Sequence, residues 1–196
     1  MKKIIITLLL LSSITACTVE DQSVEINDPN SLIDDVDCVI DPDNPPAVIG
    51  STWARTSFII ATELDGNGDG IFTNDLDIET TCSADLLTFG TNFKAGNPTY
   101  HTVSMEVNDD GNGNLSQGIG CLIGDGLFPN YSQEGNIVSF CYSGELAFTA
   151  TLSDDEQTLT FNFTYEEMFF PNNTILKQDG TVETLQGNVT IVYTRQ

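Results

Sequence analysis

Basic side chains are scarce in this chain of 196 residues, which has six lysines and arginines against 29 aspartates and glutamates. Lys2 and Lys3 lie at the very start, whereas every acidic residue follows Cys17. A formal net charge of −23 repels the phosphate backbone of nucleic acids and anionic lipid head groups. We therefore expect no nucleic-acid partner, and we expect divalent cations to be attracted.

Histidine and catalytic motifs are also lacking. The single histidine is His101, and no two cysteines have the C-x-x-C spacing of a zinc knuckle. There is no Gly-x-Ser-x-Gly segment, no phosphate-binding glycine loop followed by lysine and no zinc-protease motif. Asp154 and Asp155 are adjacent, and neighbours in a strand face opposite sides, so they are no ready acid–base pair. We predict no catalytic residues; a glycosidase built from distant carboxylates is the enzymatic alternative.

No long apolar run is present near the start of the chain. Residues 4–11 are apolar, far fewer than the ~20 residues that a membrane-spanning helix needs. They follow Lys2-Lys3 and precede Ile14-Thr15-Ala16-Cys17, an order typical of a secretion signal. This last segment resembles a bacterial lipobox. The resemblance implies that residues 1–16 are a lipoprotein signal peptide and that Cys17 carries a fatty-acid (palmitate) membrane anchor; cleavage without lipid is the alternative.

Residues 17–47 are predicted to be a flexible acidic tether. Aspartate and asparagine are frequent, residues 41–46 are rich in proline, and no apolar periodicity lasts long enough to specify an element. Glu20 and Asp21 resemble the acidic signals of Bacteroidetes lipoproteins. That resemblance implies an outer-membrane lipoprotein displayed at the cell surface.

The stretch from residue 65 to residue 79 is the best candidate for a site. Acidic or amide side chains at every second position, with a glycine after the third, provide oxygen ligands for one hard cation, calcium. The twelfth position of such a loop should be glutamate but is Leu76, so the closing carboxylate would come from Asp75, Asp77 or Glu79. The candidate ligands are Asp65, Asn67, Asp69, the Ile71 carbonyl, Thr73, Asp75, Asp77 and Glu79. The alternative is a connection rich in side-chain-capped turns.

From residue 48 onward, polar and apolar residues alternate in about eight segments without a convincing helix. Strands are predicted at residues 53–62, 86–93, 100–107, 117–123, 137–142, 146–152, 158–165 and 187–194. Closing such a sheet removes its exposed edges. We therefore predict an all-β fold, with a single antiparallel β-barrel of about eight strands over residues 48–196, after the signal peptide and tether.

Several motifs resemble the lipocalin-like lipoproteins of Bacteroidetes. They are Ile49-Gly50-Ser51-Thr52-Trp53, the acidic loop, and Cys82 followed by Leu86-Leu87-Thr88-Phe89. Lipocalins usually have Gly-x-Trp, whereas Gly50 and Trp53 are one residue further apart. The resemblance implies a lipocalin-like barrel with a pocket for a small apolar ligand. It also implies that Arg195, near the end of the last strand, covers Trp53 in a favourable cation–π contact.

Four cysteines follow Cys17, namely Cys38, Cys82, Cys121 and Cys141. An even number in an oxidising compartment predicts two disulfides. The same resemblance implies that Cys82 pairs with Cys121, which leaves Cys38 for Cys141. A Cys121–Cys141 bridge within a hairpin stays open.

Two loops share the tripeptide Phe-Pro-Asn. Phe128, Tyr131, Phe169 and Phe170 are candidate rim residues of an apolar mouth or partner patch; the alternative is two proline turns packed on the core. The chain is thus interpreted as a lipid-anchored surface lipoprotein that binds a small apolar ligand or a surface partner and has a calcium-stabilised loop. The alternative is a structural or adhesive domain with a filled barrel.

Overall fold

The structure is a computed structural model that describes residues 41–80, 82, 86–96, 102–122, 128–143, 145–165 and 173–196. Of the predicted tether, only residues 41–47 lie within these ranges. The predicted signal peptide, Cys17 and Cys38 lie outside them. The chain divides into two compact units, and every described residue belongs to the second, Ile33–Gln196.

The described elements are almost all strands. In chain order they are β1 (Thr52–Leu64), β2 (Thr73–Asp75), α1 (Leu76–Glu79), β3 (Leu86–Phe89), β4 (Ala95–Gly96), β5 (Thr102–Asp109), β6 (Leu115–Leu122), β7 (Asn130–Glu134), β8 (Ile137–Tyr142), β9 (Glu145–Leu152), β10 (Thr158–Thr164), β11 (Thr174–Leu176), β12 (Val182–Thr184) and β13 (Asn188–Arg195).

Eight of these strands form an antiparallel barrel. Around the barrel they follow one another in chain order, with the last strand, β13, beside the first, β1. The sheet runs β4-β3-β1-β13-β10-β9-β8-β7. Its two ends approach one another, because Lys94 forms an isolated β-bridge with Asn130 and the Ala95 N–H donates to the Pro129 carbonyl at 2.9 Å. The barrel is therefore nearly closed, and the predicted all-β, lipocalin-like architecture is confirmed.

Two hairpins lie outside the barrel sheet. β5 pairs with β6 in the connection from β4 to β7, and β11 pairs with β12 in the connection from β10 to β13. On β5, the Met105 and Val107 N–H groups donate to the side chains of Asn173 and Thr174 rather than to another strand.

The strand prediction was wrong about which eight segments build the barrel. Residues 100–107 and 117–123 were assigned to barrel strands, but their described part forms the separate β5–β6 hairpin. The barrel is completed instead by β4 and β7, which the prediction missed. A half-buried hairpin alternates with the same period of two as a barrel strand, and the two residues of β4 are too few to show any period.

Aromatic rings fill the inside of the barrel. Along a strand, residues that face inward alternate with residues that face outward. In β10, for example, Leu159 and Phe161 are buried, while Asn162 is exposed. Ring contacts with centroids 4.8 to 6.4 Å apart connect Trp53, Phe89, Tyr131, Phe140, Phe148, Phe161, Phe163 and Tyr193. Burial of each such ring stabilises the fold by roughly 1.5–3 kcal/mol, so this chain of contacts is the main core.

One end of the barrel is closed by Trp53 and Arg195. These residues face each other across β1 and β13, and the Arg195 guanidinium carbon lies 5.5 Å from the centroid of the Trp53 ring. The guanidinium also donates to the Ala47 carbonyl at 3.2 Å. The structure thus shows the contact that the lipocalin resemblance implied, in a structural role.

Candidate functional site

The carboxylate of Asp65 organises the first half of the acidic loop. Its Oδ1 accepts hydrogen bonds from the N–H groups of Gly68 and Asp69 at 2.8 and 3.1 Å. Its Oδ2 accepts from the Gly70 N–H at 2.9 Å. Gly68 and Gly70 have φ values of +76° and +84°, a backbone conformation that favours glycine. The loop is therefore folded around this one side chain.

Two further oxygen donors continue this pattern. Asn67 Oδ1 accepts from the Asp69 N–H at 2.9 Å, and Asp69 Oδ1 accepts from the Ile71 N–H at 2.8 Å. Ile71 itself is 65% exposed. Asp65, Asn67 and Asp69 are thus brought to one loop, each with oxygen lone pairs that the loop amides do not use.

Glu79, at the end of α1, is the buried member of the candidate set, with 2% exposure. Its Oε2 accepts hydrogen bonds from the N–H groups of Gly66 and Asn67 at 2.7 and 3.3 Å. Its Oε1 is buried and has no hydrogen-bond partner within the described part of the chain. A carboxylate oxygen that is removed from water and unpaired costs free energy.

The β5–β6 hairpin covers this corner of the molecule. A Cβ on Gly66 would lie 2.2 Å from Ile119 Cδ1 and 2.9 Å from the Glu79 carbonyl oxygen, so only glycine fits there. A disulfide with Cα atoms 5.6 Å apart joins Cys82, which follows α1, to Cys121 in β6. The pairing is the one that the resemblance implied, and it holds the hairpin beside the loop. Cys141 is also disulfide-bonded, while its expected partner Cys38 lies outside the described residues.

Three candidate ligands are engaged in bonds that hold the backbone. The Thr73 hydroxyl accepts from the Asp75 N–H at 3.2 Å. Asp75 caps α1 by accepting from the Asp77 N–H and also accepts from the Phe58 N–H, each at 3.0 Å. Asp77 binds the Arg55 guanidinium through Nε at 3.0 Å and Nη2 at 2.6 Å. The structure therefore separates these three side chains from the loop around Asp65.

Carboxylates alone do not make a metal site here. Within the ranges that the structure describes, no group of three or more His, Cys, Asp or Glu side chains could hold a metal ion. A cation in the loop would also need amide and backbone carbonyl oxygens, which calcium accepts as ligands.

A second loop of similar composition provides a comparison. In residues 109–114, Asp110 accepts hydrogen bonds from the Asn114 side chain at 2.7 Å and from the Asn112 N–H at 2.8 Å. These bonds lower the pKa of Asp110 from 3.8 to about 2, because they stabilise the charged form. This loop has the same kind of capped turn as residues 65–71, but Asp110 is fully exposed, unlike Glu79.

The prediction of a rim role for Tyr131 was wrong. Tyr131 is fully buried, its ring centroid lies 4.8 Å from that of Phe89, and its hydroxyl donates to the Gly90 carbonyl at 2.7 Å. Burial raises the pKa of Tyr131 to about 12. The cause is the strand period, which turns the second residue of β7 inward. Phe128 is 60% exposed, and the other two rim candidates, Phe169 and Phe170, lie outside the described residues.

A polar groove lies beside the acidic loop. Its volume is about 610 Å³. One wall is formed by the end of β1 and the start of β2, and the other by the turn between β11 and β12. Residues that line it include Glu63, Phe72, Asn74, Lys177, Gln178 and Asp179. None of these was singled out from the sequence, because they come from segments that are more than 100 residues apart.

Sequence reasoning also missed the buried Arg55. Its side chain is 2% exposed and its ion pair with Asp77 holds α1 against β1. The signal was present in the composition, because only four basic residues follow Cys17 in a strongly acidic chain. Arg55 stands at an inward position of a strand, where a charged side chain needs a partner.

No protein-family model, curated protein or solved structure matches the chain. In the described ranges, no helix is long and apolar enough to cross a membrane. Functional inference therefore rests on the residues and geometry above.

Proposed function

We propose that the protein is a non-catalytic, lipid-anchored lipoprotein of the bacterial outer membrane that binds a partner on its outer surface, with calcium stiffening the acidic loop. The barrel then acts as a filled scaffold. The observation that carries this choice is the continuous chain of ring contacts through the barrel, from Trp53 to Phe163.

The filled interior argues against a deep apolar pocket. Sites for small molecules usually have volumes of roughly 300–1,000 Å³. Making such a space here would require rings such as Phe140 and Phe161 to move, and loss of one buried phenylalanine typically costs about 3–5 kcal/mol. A small ligand would have to repay that free energy before it bound.

The groove offers chemistry that suits a neutral, hydroxyl-rich partner such as a saccharide chain. The Lys177 ammonium is paired with Glu183 at 3.3 Å, and Asp179 accepts from the Thr181 N–H and hydroxyl. The side chains of Glu63, Asn74 and Gln178 form no hydrogen bond or ion pair among the described residues.

These unengaged groups provide both donors and acceptors, which hydroxyl groups need. The half-buried Phe72 adds a flat apolar face. An anionic partner is disfavoured, because the chain has a net charge of −23.

A titration of the secreted Cys17→Ala protein with neutral oligosaccharides tests the groove. We expect saturable amide shifts at Asn74 and Gln178 in ¹⁵N nuclear magnetic resonance spectra, and their loss in Phe72→Ala. The matched control is Phe128→Ala, which removes an exposed aromatic outside the groove. Shifts that are absent, or equal in the two variants, would contradict the proposal.

An apolar ligand bound at Phe148 and Phe163 is the second candidate. These rings pack against the core but are only half-buried, with ring centroids 6.1 Å apart. A saturable fluorescence increase of N-phenyl-1-naphthylamine that Phe148→Asp abolishes would favour this candidate over a filled scaffold.

Anchoring and calcium are tested separately. Cys17→Ala should move the protein from the membrane to the soluble fraction, and unchanged fractionation would refute lipidation. With a calcium dissociation constant of about 10⁻³ M, about 10 mM calcium should stabilise the folded state by roughly 1.4 kcal/mol, which is about 3–6 °C in Tm. The Asp65→Ala variant should show no such shift.

A further inference from the structure

We infer that Glu79, three residues beyond the usual end of a twelve-residue calcium loop, supplies the closing carboxylate of a calcium site whose other side-chain ligands are Asp65, Asn67 and Asp69. Bound calcium would draw these side chains together, because in the described structure the three carboxylates do not form a group that could hold a metal ion. This inference rests on the calcium part of the proposed function and names the ligand that the sequence left open.

The first step is the position of the Glu79 side chain. Its Oε2 is bonded to the N–H groups of Gly66 and Asn67. These amides belong to the same loop whose following N–H groups face Asp65, so Glu79 lies against the loop and not against solvent.

The second step is the unsatisfied oxygen. Glu79 is 2% exposed, and its Oε1 has no partner among the described residues. Among the described residues, the basic side chains of Arg55, Lys177 and Arg195 form ion pairs with Asp77, Glu183 and Glu156 instead. A bound cation would satisfy this oxygen, which explains why a carboxylate occupies a buried position.

The third step is the set of remaining oxygens. Asp69 Oδ2 accepts no hydrogen bond in the described structure, and Asp65 Oδ2 and Asn67 Oδ1 each accept one. A carboxylate or amide oxygen has two lone pairs, so each of these oxygens retains capacity for a cation. Together with a loop carbonyl, which Ile71 offers at the seventh position, they approach the six to eight oxygen ligands of calcium.

The fourth step explains why the glutamate is displaced along the chain. Residues 73–75 form β2 beside β1, and Leu76 begins α1, so the usual twelfth position is used to bury a leucine in the core. One turn of helix later, Glu79 returns to the loop. Ile119 of the hairpin packs over Gly66, whose N–H binds this carboxylate.

Glu79→Gln provides the decisive variant, because it keeps the shape and an oxygen for the Gly66 and Asn67 amides but replaces the unpaired oxygen with an amide nitrogen. We expect the calcium dissociation constant, measured by isothermal titration calorimetry, to rise at least about tenfold, since calcium affinity follows the number of charged ligands. In chelator, the variant should melt no lower than the wild type, because an unpaired buried charge has been removed. With calcium, the order of the two melting temperatures should reverse.

Asp110→Asn is the matched control, since Asp110 holds a similar turn without a buried carboxylate. It should leave the calcium affinity unchanged. If Glu79→Gln does not fold, Asp69→Asn tests the same ligand set and should weaken calcium binding by a similar factor.

The outcomes separate the two proposals. If the wild type binds no calcium, or if magnesium at equal ionic strength shifts Tm equally, the calcium part of the proposed function fails together with this inference. If calcium binding requires Asp65 but is unchanged in Glu79→Gln, the loop binds calcium and Glu79 is not its closing ligand.

Discussion

Removal of Asp77 should destabilise the protein more than removal of its partner Arg55. The Arg55 side chain is 2% exposed and that of Asp77 is 19% exposed. Asp77→Ala would leave a guanidinium buried without its carboxylate, which typically costs about 3–5 kcal/mol. Because Asp77 is partly exposed, water can enter the gap and hydrate the guanidinium. We therefore expect Asp77→Ala to lower the free energy of unfolding by roughly 2–4 kcal/mol.

Arg55→Met should cost less, about 1–2 kcal/mol, because methionine retains the apolar stem and the orphaned Asp77 can be solvated. The double variant Arg55→Met, Asp77→Leu removes both charges and should lie closer to the wild type than Asp77→Ala alone. The order of the three free energies follows from which partner is more deeply buried.

Urea unfolding followed by circular dichroism at 25 °C measures these free energies, with a check that the m-value is unchanged. The control is Glu183→Ala, which removes the partner of Lys177 from an ion pair with 40% and 41% exposed side chains. That exposed pair should contribute at most about 1 kcal/mol. An Asp77→Ala cost below about 0.5 kcal/mol, or one smaller than that of Arg55→Met, would refute the reasoning.

Three more predictions concern stability. Replacement of both Cys82 and Cys121 by serine opens a crosslink across 39 residues and should cost about 4 kcal/mol in urea unfolding; an unchanged midpoint would show that the crosslink does not constrain the unfolded chain. Arg195→Ala should lower Tm by about 1–4 °C, because the contact with Trp53 contributes about 0.5–1 kcal/mol, and Arg195→Lys should retain part of it. The pKa of Asp110 is lowered to about 2, so this carboxylate stabilises the fold above pH about 4 and the contribution is lost as pH falls towards 2; Asp110→Asn should flatten that part of the pH profile of Tm, and an unaltered profile would contradict the assignment.

The barrel strands were predictable where polar and apolar residues alternate along a long strand. In β10, Thr158–Thr164, the residues that alternate in the sequence also alternate between buried and exposed positions up to Asn162. The closing strands were not predictable in this way. β4 has two residues, and its end of the sheet meets β7 through a bridge between Lys94 and Asn130, which are 36 positions apart in the chain.

The candidate site was predictable in part. The spacing of Asp65, Asn67 and Asp69 indicated a loop folded around oxygen atoms, and the structure shows that loop. The special position of Glu79 was not visible, because it depends on α1 and on Gly66, whose N–H binds Glu79 and which packs against the distant Ile119. Local spacing indicates which residues a loop contains, whereas solvent exclusion is set by distant parts of the fold.

The side chains of Asn173 and Thr174, which accept from the β5 amides of Met105 and Val107, have a consequence for crowding. An extended segment with unpaired amides is a template on which a neighbouring molecule can add its own strand. Side-chain oxygens satisfy these two amides without presenting a continuous ladder. Copies of the protein packed together at high concentration would therefore find neither of these two amides free, and strand addition at this part of β5 should be disfavoured.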